Sequence, residues 1–254
     1  MSELKEFDAS ATFEVTKPPH PEWAPPQNQP LPAPFSSERE KVLAAKDIAP
    51  GDMYKLLTSA VIPRPIAFVS TASLEPNGPA NIAPFSYFSV VCHDPPTLMV
   101  SISYSKGEPK DTLKNIQETG EFVVNSFNEH FVESANHCSI PVPYAVEEDK
   151  LSGLTLVPSH IVKAPRCLES LLSFECKLTH SHTITTAQGV PSSGVVFGEV
   201  VGIVAKEEIL KETTGGNSGG FVVDTSLFKP VSRLGGWMYA RTTAAYEIPR
   251  PSAP

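Results

Sequence analysis

The sequence lacks any run of apolar residues that approaches the roughly 20 needed to cross a bilayer. Its first ten residues, MSELKEFDAS, lack the apolar core of a secretory signal. It also has no excess of basic residues, since 20 Lys and Arg stand against 28 Asp and Glu and give a net charge of -8. Proteins that coat nucleic acid or anionic membranes need a basic face. We therefore predict a cytoplasmic protein that binds neither nucleic acid nor a membrane.

Cysteine is scarce, and the motifs of several common sites are missing. The four cysteines form no CxxC pair and no His/Cys cluster with the spacing of a zinc site, so we predict reduced thiols and no metal. No GxGxxG follows a strand-like segment, which argues against a Rossmann dinucleotide site. No GxxxxGK[ST] occurs either, which argues against nucleotide hydrolysis by a P-loop. With 41% hydrophobic residues, the chain can still form a packed core.

Proline is abundant instead, and it is concentrated near the start of the chain. Eight of the 26 prolines fall between Pro18 and Pro34. Such a segment favours extended polyproline II over helix or sheet. We predict that residues 1–45 form a proline-rich extended arm and residues 46–254 one domain. The arm is expected to lie across that domain or a partner subunit, with an SH3-type ligand as the alternative.

From Val61 onward the sequence pattern is typical of antiparallel strands. Segments rich in Val, Ile, Phe and Ser alternate with turn signals; they are VIPRPIAFVSTAS, APFSYFSVVCHDPPTLMVSIS, GEFVVNSF, SLLSFECKLTHSHTI and GVVFGEVVGIVAKEEIL. Two short helices are predicted, one from about Asp111 to Thr119 that ends at Gly120, and one centred on HFVESANHC. A glycine-rich segment, GGNSGG, predicts a flexible loop. The predicted fold is therefore mainly β, a β-barrel that is α+β at its edges.

The segment SISYSKGEPKDTLKNI carries the first candidate site. A strand that ends in Ser101 and Ser103 leads through a turn to a helix start at Lys110, Asp111 and Thr112. Asp111 is a natural N-cap, and the free amides and dipole of a helix start attract anions. Lysine and hydroxyl groups there suit a phosphate monoester. The alternative is a capped helix with a surface lysine, because the Asp111 carboxylate competes with a phosphate for the same amides.

A second group of residues suggests a flat ligand. Pro84 interrupts a strand-like run, so the backbone at Ala83–Phe85 is predicted to bulge or to lie at a sheet edge. Such a backbone has amides and carbonyls free for a ligand, and Ser86 adds a hydroxyl. Upstream, Arg64 stands between two prolines that stiffen its backbone, which suits an arginine aimed at an anion. Together these features predict a flat, phosphate-bearing cofactor that lies across a barrel.

Five segments in this order resemble the flavin reductase-like family, a group of FMN-binding split β-barrel proteins. They are PRPIAFVST, NIAPFSYFSVVCHDPPTLMVSI, KDTLKNIQETGEFVVN, GEVVGI and RLGG-x-x-YAR, and the resemblance covers about Asp52 to Arg241. It implies a six-stranded Greek-key split barrel, a homodimer with the flavin near the subunit interface, and FMN as cofactor. The long proline arm and the GGNSGG loop depart from the usual pattern of the family.

The resemblance also implies which residues hold the cofactor. Those of the segment Asn81 to Ser86 would line the isoalloxazine ring and ribityl chain, namely Asn81, Ala83, Pro84, Phe85 and Ser86. Those around the phosphate would be Ser101, Ser103, Lys110, Asp111 and Thr112, with Arg64 close by. The GGWMYAR segment would approach the flavin or the partner subunit. No catalytic side chain is expected, because the flavin ring itself accepts hydride.

The leading hypothesis is an FMN-dependent oxidoreductase that takes hydride from NADH or NADPH and passes electrons to a small-molecule acceptor. One alternative is a flavoprotein oxygenase that acts on an organic substrate and needs an apolar pocket over the ring. Another is a non-catalytic protein that stores or delivers FMN. Reduction by pyridine nucleotides separates the reductase from the storage protein.

Overall fold

The structure, a computed structural model, describes residues 4–29, 35, 40–75, 78–144, 146–213 and 220–251. Its strands are β1 (Glu14–Thr16), β2 (Arg64–Pro65), β3 (Ala67–Ala72), β4 (Ala80–Phe85), β5 (Phe88–His93), β6 (Pro96–Ser103), β7 (Glu121–Asn125), β8 (Leu156–Val157), β9 (Arg166–Cys167), β10 (Leu172–Thr185), β11 (Pro191–Ala205), β12 (Leu210–Thr213), β13 (Gly220–Val223), β14 (Val231–Arg233), β15 (Tyr239–Arg241) and β16 (Ala244–Tyr246). Its α-helices are α1 (Pro50–Ala60), α2 (Asp111–Thr119), α3 (Val132–His137), α4 (Glu148–Ser152) and α5 (Thr225–Phe228). None of these helices has the length and apolar character of a membrane span.

Seven strands form one antiparallel sheet in the order β4-β3-β7-β10-β11-β6-β5. Side chains from β3, β4, β6, β7, β10 and β11 meet in a single core, so the sheet curls round on itself as a barrel. The two edge strands, β4 and β5, are consecutive in the chain and do not pair with each other. The barrel is therefore split at the Ser86–Tyr87 link, and the prediction of a split β-barrel is confirmed, although the sheet has seven strands where the resemblance implied six.

Close packing inside the barrel depends on glycines of β11. A Cβ on Gly198 would collide with the ring of Phe122 and lie 3.1 Å from Cβ of Cys176. A Cβ on Gly194 would collide with the side-chain end of Leu113, which fastens α2 over the barrel. The barrel core and the position of α2 therefore require glycine at these two points.

A second apolar core lies between the sheet and the helices near residue 135. Phe68 of β3 and Ile82 of β4 pack there against Phe127, Phe131 and Ala135. The helix predicted at HFVESANHC forms as a 3-10 turn (Glu129–Phe131) followed by α3. This second core fixes the face of β3 and β4 that points away from the barrel interior.

Several local predictions were wrong. Helix α1 was missed, because PGDMYKLLTSA has a Pro start but only a weakly apolar face. Helix α2 runs from Asp111 to Thr119 and ends at Gly120 in a left-handed conformation, as predicted, but its N-cap is Lys110. Asp111 is the first helical residue and does not cap the helix. Pro84 lies at a sheet edge, which is one of the two predicted alternatives; the other, a bulge, is absent because β4 pairs with β3 in unbroken register.

The predicted arm contains one strand and is held by the last part of the chain. Strand β1 pairs in parallel with β16. Arg241 donates to the carbonyl of Asp8 at 2.6 Å, stacks on the Phe7 ring at 4.3 Å, and forms an ion pair with Glu129. The arm thus lies against the body of the protein. The division at residue 45 stays a prediction, and the GGNSGG loop, apart from Gly220, lies outside the described residues.

A buried carboxylate fastens the loop that precedes β9. Glu175 of β10 is fully buried, and its carboxylate accepts hydrogen bonds from the backbone N–H groups of His160, Ile161 and Val162 at 2.8, 2.6 and 3.1 Å. Burial raises the pKa of Glu175, but the three N–H donors outweigh it and hold the pKa below its ordinary value. This loop therefore depends on one ionised side chain.

Candidate functional site

The free edge of β4 is the backbone feature that a ligand can use. Among the described strands β4 pairs only with β3, so its other edge has no strand partner. The side chains of Asn81, Ala83 and Phe85 point to the barrel side, where Phe85 and Ala83 join the core. Pro84 and Ser86 lie on the opposite side of the strand. The predicted lining residues of the ring thus share one strand and end at the split of the barrel.

A buried hydrogen-bond chain joins β4 to two helices. The Thr112 hydroxyl at the start of α2 donates to Asn81 Oδ1 at 2.6 Å, and Asn81 Nδ2 donates to Glu148 Oε1 of α4 at 2.9 Å. All three side chains are buried. Both ends of the Asn81 amide are therefore occupied, which orients it and ties β4, α2 and α4 together. The structure brings Asn81 and Thr112 into direct contact, as a shared site requires.

Glu148 and Asp149 are buried acidic residues, although they stand in a run of three acidic residues, Glu147–Asp149. They are 6% and 1% exposed. Glu148 Oε2 has no hydrogen-bond partner among the described residues, and burial raises the pKa of Glu148. Neither carboxylate oxygen of Asp149 is hydrogen-bonded there either, and its charge is met by Lys150 Nζ, 3.2 Å from Oδ2. Burial of a neutral Glu148 costs less than burial of a carboxylate.

The start of α2 retains part of the predicted anion site. Its first turn has no side-chain cap, so the first backbone N–H groups of the helix stay available. Lys110 is exposed beside them, while Asp111 is half-buried and burial raises its pKa. Thr112 does not face an external ligand, because its hydroxyl is buried and bound to Asn81. Of the predicted groups, Lys110 and the helix amides are thus the ones that remain accessible to an anion.

Arg64 does not act as an exposed anion anchor. It is buried, and its guanidinium donates to the carbonyls of Thr58, Val61 and Leu234, the last two at 2.8 and 2.9 Å. Its Nε–H points to Ser86 Oγ at 3.4 Å. The arginine therefore closes the C-terminal end of α1 and fixes the turn after β14. Its link to the predicted site is the weak contact with Ser86.

Ser101 and Ser103 make no hydrogen bond to the start of α2 among the described residues. Along β6 the side chains of Leu98, Val100 and Ile102 enter the barrel core, so the serines between them lie on the outer face. Ser101 Oγ is 2.6 Å from Ser193 Oγ of the neighbouring β11, and Ser103 is exposed. The structure therefore shows no contact that joins these serines to Lys110, and their grouping in one phosphate site stays a prediction.

A concave site lies at the split of the barrel, and we call it the Ser86 cavity. It has a volume of about 180 Å3. Its lining combines the end of β4 with α3 and the β14–β15 hairpin, through Ile66, Pro84, Phe85, Ser86, Asn136, Ser139, Arg233 and Tyr239. Tyr239 belongs to the GGWMYAR segment that was expected near the cofactor. Asn136 and Arg233 were not predicted, because only the tertiary fold brings α3 and β14 to Ser86.

The cysteines are unsuited to thiol chemistry. Cys138, Cys167 and Cys176 are buried, and burial raises their pKa to about 11, 12 and 12. Cys92 is partly buried and its thiol points to the carbonyl of Asp94 at 3.2 Å. The chemistry of the site therefore comes from backbone groups, hydroxyls, amides and cations.

The candidate site thus consists of a free strand edge, an uncapped helix start and a polar cavity at the split of the barrel. The family model of the flavin reductase like domain matches residues 58–221. The chain belongs to the flavin reductase-like family. An uncharacterised protein of Halalkalibacterium halodurans is 39% identical over 200 residues, which are 78% of this chain and 91% of that protein.

Solved structures of this flavin reductase-like fold are also similar. Nitrilotriacetate monooxygenase component B from Bacillus cereus superposes with a TM-score of 0.74 at 32% identity and covers 81% of this chain and 96% of its own. The 2-nitrobenzoate 2-nitroreductase NbaA from Pseudomonas fluorescens superposes with a TM-score of 0.69 at 32% identity. The match covers 84% of this chain and 96% of that protein. The chain is thus a flavin reductase-like flavoprotein of the oxidoreductase class.

Proposed function

We propose that the protein is an FMN-dependent oxidoreductase that accepts hydride from NADH or NADPH and passes the electrons to a small-molecule acceptor. The observation that carries the proposal is the Asn81–Thr112 hydrogen bond. It fixes the free edge of β4 against the start of α2, so that a strand edge for a flat ring and a helix start for a phosphate belong to one rigid unit.

The residues present fit FMN. Lys110 and the uncapped amides of α2 supply cationic and N–H groups for a phosphate monoester. The edge of β4 from Asn81 to Ser86 supplies backbone donors and acceptors for a heteroatom-rich ring. The FMN, once bound, supplies the hydride chemistry. The chain's residues bind and orient it, and Asp111 limits the strength of the phosphate contact.

A second candidate function is the use of bound flavin on an organic substrate. It is favoured by the likeness at 32% identity to a 2-nitrobenzoate 2-nitroreductase. The Ser86 cavity is a separate recess at the end of the β4 edge, and it gives such a substrate a place. The storage hypothesis has no comparable support.

We further propose that the protein is a homodimer. The edge strand β5 presents an exposed apolar surface, with Val90 69% and Val91 53% exposed. Phe88 of the same strand lines a cavity of about 420 Å3 whose walls are mostly apolar. A second subunit that covers this face would remove the apolar patch from water. Val90→Glu is expected to yield a monomer in sedimentation velocity if the patch is the interface, whereas an unchanged oligomer would place the interface elsewhere.

The absorption spectrum of the purified protein tests the main proposal. It is recorded after addition of FMN and again after NADH or NADPH without oxygen. A flavin spectrum that bleaches and recovers in air is expected. A flavin spectrum that neither nucleotide bleaches would favour a different electron donor or storage. A protein that takes up no FMN would overturn the cofactor assignment.

A further inference from the structure

The Ser86 cavity has a half-buried cation without an anionic partner. No carboxylate of the described residues lies within 4 Å of the Arg233 guanidinium, in contrast to Arg241, which pairs with Glu129. Arg233 donates one N–H to the Met238 carbonyl at 3.0 Å, and its guanidinium lies 4.5 Å from the centre of the Tyr239 ring. These two contacts fix the side chain and leave most of its five N–H donors free.

The other polar groups of the cavity are donors too. Tyr239 Oη donates to Asn136 Oδ1 at 2.6 Å. The side-chain oxygen of Asn136 is therefore occupied, and its NH2 group is available as a donor to a ligand. Burial raises the pKa of Tyr239, which keeps the phenol a donor. Ser86 Oγ accepts from Arg64, so its own proton is available to a ligand. The Ser139 hydroxyl donates to the backbone carbonyl of Asn136 at 2.7 Å, so its proton is not available to a ligand.

Among the described residues, no acidic side chain lines this cavity. A wall of Arg, amide NH2 and hydroxyl donors suits a ligand with paired anionic oxygens, because an arginine fork binds them through two parallel hydrogen bonds. The volume of about 180 Å3 is below the range for drug-sized ligands. The cavity therefore holds one small group and not a whole flavin.

We propose that the Ser86 cavity binds the anionic group of the second substrate, next to the flavin. The inference rests on the proposed function, which places the ring along the β4 edge that ends at Ser86. Two sources share this chemistry: the carboxylate of a small organic acid and the diphosphate of a pyridine nucleotide. Arg233 is the specificity-determining residue for either, and Asn136 and Ser86 complete the donor set.

The experiment titrates the FMN-loaded protein with benzoate, with the neutral isostere benzamide and with inorganic pyrophosphate, and follows the flavin absorption bands. Wild type is compared with Arg233→Met and Arg233→Lys. Arg250→Met is the matched control, because it removes the same charge from an exposed position outside the cavity. The FMN dissociation constant and thermal stability of each variant are measured alongside.

Wild type and Arg250→Met are expected to bind one of the two anions at least about tenfold more tightly than benzamide. Arg233→Met should lose that preference, and Arg233→Lys should recover part of it, with FMN affinity unchanged within about twofold. Tight benzoate binding identifies the organic acid. Tight pyrophosphate binding, with a raised KM for NADH in Arg233→Met, identifies the nucleotide.

Two results would overturn the inference while the proposed function stands. One is equal binding of anions and benzamide in wild type, or anion binding that survives Arg233→Met. The other is a tenfold loss of FMN affinity in a folded Arg233→Met variant, which would assign the cavity to the flavin. Failure of wild type to bind FMN would instead refute the proposed function and the inference with it.

Discussion

Asn81 Nδ2 donates to Glu148 Oε1 across 2.9 Å, so a buried acid of α4 sets the orientation of an amide on the free edge of β4. The same amide accepts from Thr112 on its other side. The geometry of the candidate site therefore depends on a buried carboxyl group of α4 that packs against β4. Its protonation links the site to the stability of the fold.

Glu148→Gln is expected to change the pH dependence of stability. Because burial raises the pKa of Glu148, the neutral form favours folding, and its contribution is present at low pH and lost as pH rises through the folded-state pKa. Glutamine keeps the oxygen that accepts from Asn81 and does not ionise. The free energy of unfolding of the variant relative to wild type should therefore increase from pH 5 to pH 8 in urea titrations.

Glu147→Gln provides the control for that measurement, since it removes the same charge from a neighbouring residue that is only half-buried. It should give no such trend between pH 5 and pH 8. If Glu148→Gln destabilises the protein equally at both pH values, Glu148 is ionised in the folded state and the interpretation is wrong.

Glu175→Gln should destabilise the protein by about 2–3 kcal/mol at pH 7, because an amide replaces a carboxylate that holds three backbone N–H groups. The pKa of Glu175 is lowered, so its contribution is present above the ordinary value of 4.5 and lost as pH falls through the lower folded-state pKa. The deficit should thus shrink in acid. Urea unfolding at pH 7 and pH 4 measures this loss of stability. Glu121→Gln is the control, and it should reduce the free energy of unfolding by less, because only one exposed hydrogen bond, from the Lys163 N–H, is affected.

Gly198→Ala should cost more stability than Gly194→Ala. The added methyl group of the first meets the Phe122 ring and Cβ of Cys176, which cannot move aside, and overpacking of this kind costs about 1–3 kcal/mol. The methyl group added in Gly194→Ala meets only the flexible end of the Leu113 side chain. Gly51→Ala, with nothing within 4 Å, is the control without a steric clash in thermal unfolding, and it should not destabilise the protein because alanine is the better helix former in α1. Equal losses at Gly194 and Gly198 would contradict the packing argument.

Lys110→Met tests the proposed phosphate contact. Because Lys110 is exposed, its ion pair with a phosphate is worth about 0.5–1 kcal/mol, so FMN affinity should fall about two- to fivefold. Riboflavin, which has no phosphate, should bind wild type and variant alike, and added salt should reduce the difference for FMN. Fluorescence titration of the flavins measures both. An equal loss of riboflavin affinity in Lys110→Met would show that Lys110 does not contact the phosphate.

The parts of the fold that follow from local patterns could be predicted from the sequence. Pro84 indicated a sheet edge because a proline has no N–H for a ladder, and Gly120 marked the end of α2 because it allows a left-handed backbone. Arg64 was misinterpreted, because nothing in its neighbours shows that carbonyls from α1 and residue 234 surround it. Glu148 was missed because acidic residues in a row are usually solvated, and its burial depends on contacts across the fold.

The pairing of β1 with β16 makes the two outer segments of the described chain one cooperative unit. The Thr16 hydroxyl donates to the carbonyl of Ala245, 229 residues away, and no other described strand joins the short parallel ladder of β1 and β16. Opening of the arm and fraying of β16 are then a single event with one free energy. Hydrogen exchange at the β16 amides consequently reports when the arm detaches, and a substitution such as Arg241→Ala should speed exchange on both strands at once.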